Sequence, residues 1–422
     1  MSYIFDIEIL NQSRKFKVGC FAYTESKNSP ASFEYDSDWM KIGYALGADL
    51  PIDYGVHKVI PFRIPAARRL LSRTTSFGFM CDSAPGAWLP TLIDRANFFG
   101  LKLGEISTRP ELLWLHAGHP GDRFSAYSYQ NSKSAIRKKT TASLEKKSLA
   151  RLVRLMESFP GSLPRYVDED IALLLECTSD LGGSSIKGLM TLTKKSEPAD
   201  WVVRCKSPDD LYSTPLWTAV TASLARGCGI QVPDYSYELC ARFGAFLERR
   251  FDRTAQGEPL AALSAATLCT RPSAYKALTT PVPSWLDVAD ILNREGSRPA
   301  EDLSELFRRL VFATYVNLPK LTLERIWFIR QEGGWRLAPM TAPCVMPSLT
   351  GAPQLAVPLA GNDAASSIEK LERLSPYFNI PRGSVRSIAL DVARAVHEWR
   401  EKAASAGADL SEIAAMQSGF FS

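Results

Sequence analysis

Long apolar runs, paired cysteines and clustered histidines are all missing from this sequence. No window approaches the roughly 18 uninterrupted apolar residues that a spanning helix needs, so no membrane segment is expected. The opening residues MSYIFDIEIL place Asp6 and Glu8 where a signal peptide requires an apolar core, which argues against secretion. The cysteines at 20, 81, 177, 205, 228, 240, 269 and 344 never fall at zinc-ligand or CxxC spacing. They are expected to be buried thiols of a reducing, cytoplasmic compartment. Of the four histidines, only His116 and His119 lie close together, with no Cys or Glu partner nearby, and surface loop histidines account for them. GxSxG, HExxH and GxxxxGK[ST] are absent, which removes the nucleophile-elbow hydrolases, zinc peptidases and P-loop enzymes.

What remains is ordinary globular material: 422 residues, 45% apolar and 23% charged, enough for two or three domains. A formal net charge of +5 permits contact with nucleic acid without demanding it. Phe16–Phe21 and Ser32–Tyr35 alternate like strands, and from Ser76 a loop leads into an amphipathic helix carrying Trp88, Leu92 and Ala96. Residues 130–150 are polar and carry Lys133, Arg137, Lys138, Lys139, Lys146 and Lys147, which predicts a linker or a mobile surface. A Gly/Ser loop, Leu181–Lys187, is expected between two strands. Helical spacing follows from Leu216, closed by Gly229, and predominates beyond Trp285. Strands first and helices afterwards is an α+β order. The expected division is 1–130 as a β-rich module, 131–172 as a basic linker and helical region, 173–275 as an N-lobe core, and 276–422 as a helical C-lobe.

The order of several short motifs resembles the HipA-type toxin kinases. Phe33–Leu50 resembles the opening module of that family and Asp82–Trp88 its Pro-Asp/Glu-Gly-Trp-like loop. Leu181-Gly182-Gly183-Ser184-Ser185-Ile186-Lys187 is similar to its Gly-rich loop. Gly229-Ile230-Gln231-Val232-Pro233 and Arg250-Phe251-Asp252-Arg253 match its GI-x-VP and RFDR signatures. Further pieces are Leu306–Phe312, Gly334–Pro339 and Val396–Trp399, so the likeness spans roughly 15–420. It implies a bilobal kinase-like fold, with a β-rich N-terminal module and a mostly helical C-lobe.

Chemistry is where the likeness breaks. Phosphoryl transfer needs a lysine on the phosphates, a carboxylate at the acceptor hydroxyl and Asn/Asp ligands for Mg²⁺. Under the resemblance the strand lysine falls on Arg204, with Lys206 two positions on and expected on the same strand face. Its acidic partner falls near Thr218, and no Asp or Glu occurs between Leu211 and Pro233. In Asn317-Leu318-Pro319-Lys320-Leu321-Thr322-Leu323-Glu324 the base becomes Pro319 and a metal-binding Asn becomes Glu324. The second metal ligand becomes Ala342. Residues 315–323 and 337–362 contain no carboxylate, although Mg²⁺ requires anionic oxygens.

The expectation is a pseudokinase with no catalytic residues and no cofactor, acting as a binding or regulatory subunit. Its partner would be an antitoxin-like DNA-binding protein or an active kinase subunit. Gly182, Gly183, Ser184, Ser185, Lys187, Arg204 and Lys206 would be vestiges of a nucleotide site, and Ser184 or Ser185 a phosphorylation site. Arg382, Arg386 and Arg394, spaced by four and eight, are expected on one helix face for weak or indirect DNA or partner contact, although a solvated basic face explains them equally well. The alternative is a divergent active Ser/Thr kinase using ATP and Mg²⁺, with Arg204 or Lys206 on ATP and Asp252 or Glu324 as its carboxylate, although Asp252 in RFDR reads better as a structural acid holding Arg250 or Arg253. An unrelated two-domain binding protein is the third reading.

Overall fold

The computed structural model describes residues 2–11, 14–24, 30–59, 77–84, 86, 88, 92, 123–130, 146–158, 168–178, 181–183, 185–194, 197–270 and 282–421. The basic segment around Lys133–Lys139, His116, His119 and Ser184 lie outside the described residues. Two compact units divide the chain: 1–208 with 252–263 and 270–278, and 209–251 with 264–269 and 279–422.

In the first unit β1 (Ser2–Asn11), β2 (Arg14–Thr24), β3 (Ser32–Tyr35), β4 (Val56–Lys58) and β5 (Tyr127–Gln130) form one sheet in the order β4-β3-β2-β1-β5. Period-2 patterning sets its faces: Phe5, Ile7 and Ile9 are buried, whereas Ile4 is exposed and the Asp6 carboxylate pairs with Lys17 at 2.8 Å. That lysine, with the Cys20 thiol, holds the Asp6 carboxyl below its ordinary value. Helix α1 (Ser37–Ile42) is capped by the Asp36 side chain. The expected loop from Ser76 instead forms a short helix, α2 (Gly78–Asp82), whose Gly78 N–H is taken by Asp49 at 2.7 Å.

Helices α3 (Lys146–Ser158) and α4 (Asp168–Thr178) are tied by Arg151 and Asp170 at 2.6 Å. Helix α4 precedes the Gly/Ser loop, so the loop joins a helix to a strand and not two strands. The residues before the loop, Cys177 and Thr178, form the last turn of an apolar helix containing Ile171 and Leu174. A hairpin follows, β6 (Lys187–Lys194) with β7 (Glu197–Cys205). Asp252, fully buried, accepts from the Ser125 N–H at 2.8 Å and from Arg253 at 2.8 Å. The RFDR carboxylate therefore has a structural place within this unit.

The second unit begins with α5 (Thr214–Gly227), apolar on most of its circumference and closed by Gly229 at φ +74°. A hairpin of β8 (Tyr235–Glu238) and β9 (Ala245–Arg249) and a short α6 (Ala265–Cys269) come next. Helix α7 (Trp285–Glu295) starts where Asp287 accepts from the Ser284 N–H and hydroxyl. Helix α8 (Pro299–Tyr315) opens on Pro299, where a missing N–H costs nothing. After the hairpin of β10 (Trp327–Gln331) and β11 (Gly334–Leu337) come α9 (Ile368–Leu374), α10 (Val385–His397), α11 (Trp399–Ser405) and α12 (Leu410–Met416). Helix α10 packs on α8 and α5 through Val385, Ala389, Val392 and Val396.

Trp217 and Trp285 are both almost wholly buried in this unit, but among the described residues only one of the two indole N–H groups is bonded. Trp217 donates to Glu412 at 3.0 Å, whereas the Trp285 Nε1 has no partner among the described residues. Replacing either by Phe removes similar volume, so the difference isolates the hydrogen bond. Trp217→Phe should be less stable than Trp285→Phe by about 1.5–3 kcal/mol in urea unfolding, the range for a bond to a charged group.

Candidate functional site

Two connections of the second unit carry the residues on which chemistry would depend. The first leaves α8 through Val316-Asn317-Leu318-Pro319. Pro319 is exposed and its ring offers neither proton donor nor acceptor. Asn317 is buried, and its amide nitrogen and both backbone groups are bonded to main chain. Its Nδ2 donates to Met346 O at 2.8 Å and Pro347 O at 3.2 Å, its N–H to Gly419 O at 2.8 Å, and its own carbonyl accepts from Met346 N at 3.1 Å. Glu324 lies half-exposed in the 3₁₀ turn Leu323–Arg325.

The second connection runs from Leu337 to Ile368 without regular structure, so its buried backbone groups need partners from elsewhere. Ala342 is held from both sides. Its N–H donates to Glu248 Oε2 at 2.8 Å and its carbonyl accepts from Arg325 Nη2 at 3.1 Å. Its φ is +37°, a left-handed value that a residue with a Cβ adopts at a cost. Three residues on, the Val345 N–H is taken by Thr221 Oγ1 at 3.0 Å. Burial pushes the Cys344 thiol up, against the Thr218 hydroxyl and the positive charges of Lys320 and Arg325, which pull it down. Thr218 donates its own hydroxyl back to Thr214 O at 2.7 Å. Burial also raises Tyr212 to about 12, helped by Cys344 and Asp210.

Sequence reasoning overlooked Glu248 and Arg325. Glu248 had a signal: it is a carboxylate directly after the apolar run Ala245-Phe246-Leu247 of β9, and only 3% of it is exposed. A buried charge without a bonded donor is costly, so such a residue points to a backbone or cationic partner. Arg325 had none, since its contact depends on where a loop 17 residues away returns.

In the first unit, Gly183 takes φ +103° and is exposed, as is Ser185. Lys187 Nζ donates to Gly182 O and sits 5.4 Å from the centre of the Trp88 ring. Arg204 is its cross-strand neighbour in the hairpin register. The strand ends at Cys205, so Lys206 follows the strand instead of sharing its face with Arg204.

The three arginines do not form one helical stripe. Arg382 lies in a separate 3₁₀ turn, Arg382–Ser384, because Pro381 sets the chain before the helix begins. Arg386 is paired with Glu372 at 2.7 Å and Arg394 with Asp391 at 3.7 Å, so the face carries acid as well as base. Among the described residues, no three His, Cys, Asp or Glu side chains gather as a metal site.

Known proteins place these features in context. The family model described as HipA-like C-terminal domain matches residues 179–400. No curated protein matches the sequence. A solved structure from Shewanella oneidensis MR-1, of a toxin–antitoxin system with HipA, HipB and operator DNA, is similar at 13% identity and a TM-score of 0.62. The match covers 98% of this chain and 94% of that one. The Helicobacter pylori proinflammatory kinase CtkA is similar at 10% identity over 55% of this chain and 90% of its own, with a TM-score of 0.38.

The Glu248–Ala342 contact gives a direct test. Glu248→Gln keeps an acceptor for the buried N–H, whereas Glu248→Ala orphans it. Chemical denaturation should find the Ala variant less stable than the Gln variant by about 1–3 kcal/mol.

Proposed function

This chain belongs to the HipA-like C-terminal domain family and has an α+β fold of the HipA type, and from that premise we propose that it is a pseudokinase acting as a binding or regulatory subunit. One observation carries the reading. The position corresponding to a metal-binding Asp is Ala342, and its backbone is closed off by Glu248 and Arg325. The residues present do not fit Mg²⁺. Hard cations take anionic oxygens, yet residues 337–362 contain no carboxylate. Pro319, at the position of the base, cannot accept a proton from a substrate hydroxyl.

The partner in this reading is an antitoxin-like DNA-binding protein or an active kinase subunit, in a cytoplasmic toxin–antitoxin type of system. Support comes from the similar Shewanella oneidensis HipA, solved with HipB and its operator DNA. No described helix is long and apolar enough to cross a membrane. DNA contact would be weak or indirect, because Arg386 and Arg394 already face carboxylates.

A thermal-shift titration with ATP, with and without Mg²⁺, separates this from a divergent active kinase. Ligand that binds only the folded state raises the melting temperature by mass action. No shift is expected at millimolar ATP. A Mg²⁺-dependent rise that disappears in Arg204→Ala would overturn the pseudokinase reading and turn the search to a phosphoryl-acceptor substrate.

A further inference from the structure

Residues beyond α11 return to the two connections just described. Gly419 and Phe421 pair antiparallel with Tyr315 and Asn317: Asn317 N donates to Gly419 O at 2.8 Å and Phe421 N to Tyr315 O at 2.8 Å. Phe420 stacks on Trp399, with ring centres 4.2 Å apart and planes 10° from parallel. Ser418 Oγ takes the Ser348 N–H at 3.2 Å. Gly419 is buried so closely that a Cβ there would lie 2.6 Å from Met346 O and 2.9 Å from Val345 Cγ2. Upstream, Glu412 receives the Ser213 N–H at 2.9 Å and the Trp217 indole N–H at 3.0 Å, which anchors the segment at the start of α5.

We propose that residues 410–421 are a cis-acting strap that holds the 315–317 and 345–348 segments in one fixed arrangement without nucleotide or metal. The strap supplies extended main chain at one loop, a hydroxyl acceptor at the other and a glycine that lets both approach. Trp399 and Glu412 fix it at either end. Where a ligand-dependent site would order its loops on binding, these loops are ordered by the chain itself. The assignment rests on the pseudokinase reading only in taking these loops to be the remnant site.

Hydrogen exchange on the full chain tests it, comparing wild type with Gly419→Val and Phe420→Ala, each with and without Mg-ATP. Exchange at 315–317 and 345–348 should quicken on the order of tenfold or more in both variants, while the start of α5 stays protected. If Gly419→Val quickens exchange throughout the unit, Phe420→Ala decides. Unchanged exchange at both segments in Phe420→Ala would overturn the strap. If Mg-ATP slows exchange at these segments only in the variants, the strap stands as a lock and the pseudokinase reading falls.

Discussion

A buried peptide group that leaves regular structure must find a partner, and this requirement organises the second unit. Its long connection after Leu337 pairs with other backbone at several points and is held elsewhere by side chains: Glu248 and Arg325 on Ala342, Thr221 on Val345, Asn317 on Met346 and Pro347. Arg309 joins them, 3% exposed, donating to Ala338 O at 2.8 Å while Glu305 balances its charge at 2.8 Å. Burial lowers the Arg309 pKa, but that carboxylate opposes the loss of its charge. These side chains are thus committed to holding backbone.

The same commitment fixes the shape of the two connections. Asn317 spends its amide on two carbonyls, Thr218 bonds within its own helix, and Ala342 has both backbone groups taken. Fold rests on buried apolar faces and backbone pairing, whereas chemistry rests on a few side chains.

Periodicity made much of the architecture legible. Phe16–Phe21, the helix after Leu216 and the helices beyond Trp285 were readable, since one buried face imposes a period of 2 or 3.6. Misreadings came where sequence neighbours do not set conformation. Gly78–Asp82 is too short for a period, and Arg382 carries the right spacing but precedes the helix start. Asp252 was legible as a structural acid paired with a neighbouring arginine. Its second partner was not, because Ser125 lies 127 residues away.

That contact has a consequence for synthesis. Ser125 takes φ +72°, donates its N–H to Asp252 and accepts the Ala262 N–H on its hydroxyl at 2.7 Å. The first unit is therefore interrupted in sequence, with its closing residues made only after those of α5, β8 and β9. A chain emerging from the ribosome cannot complete this unit when residue 208 appears. It must wait, with the Ser125 N–H still lacking its Asp252 acceptor, until the RFDR motif has been translated. Long-range closure of this kind slows folding, and it leaves the early β-rich part exposed to other binders for that interval.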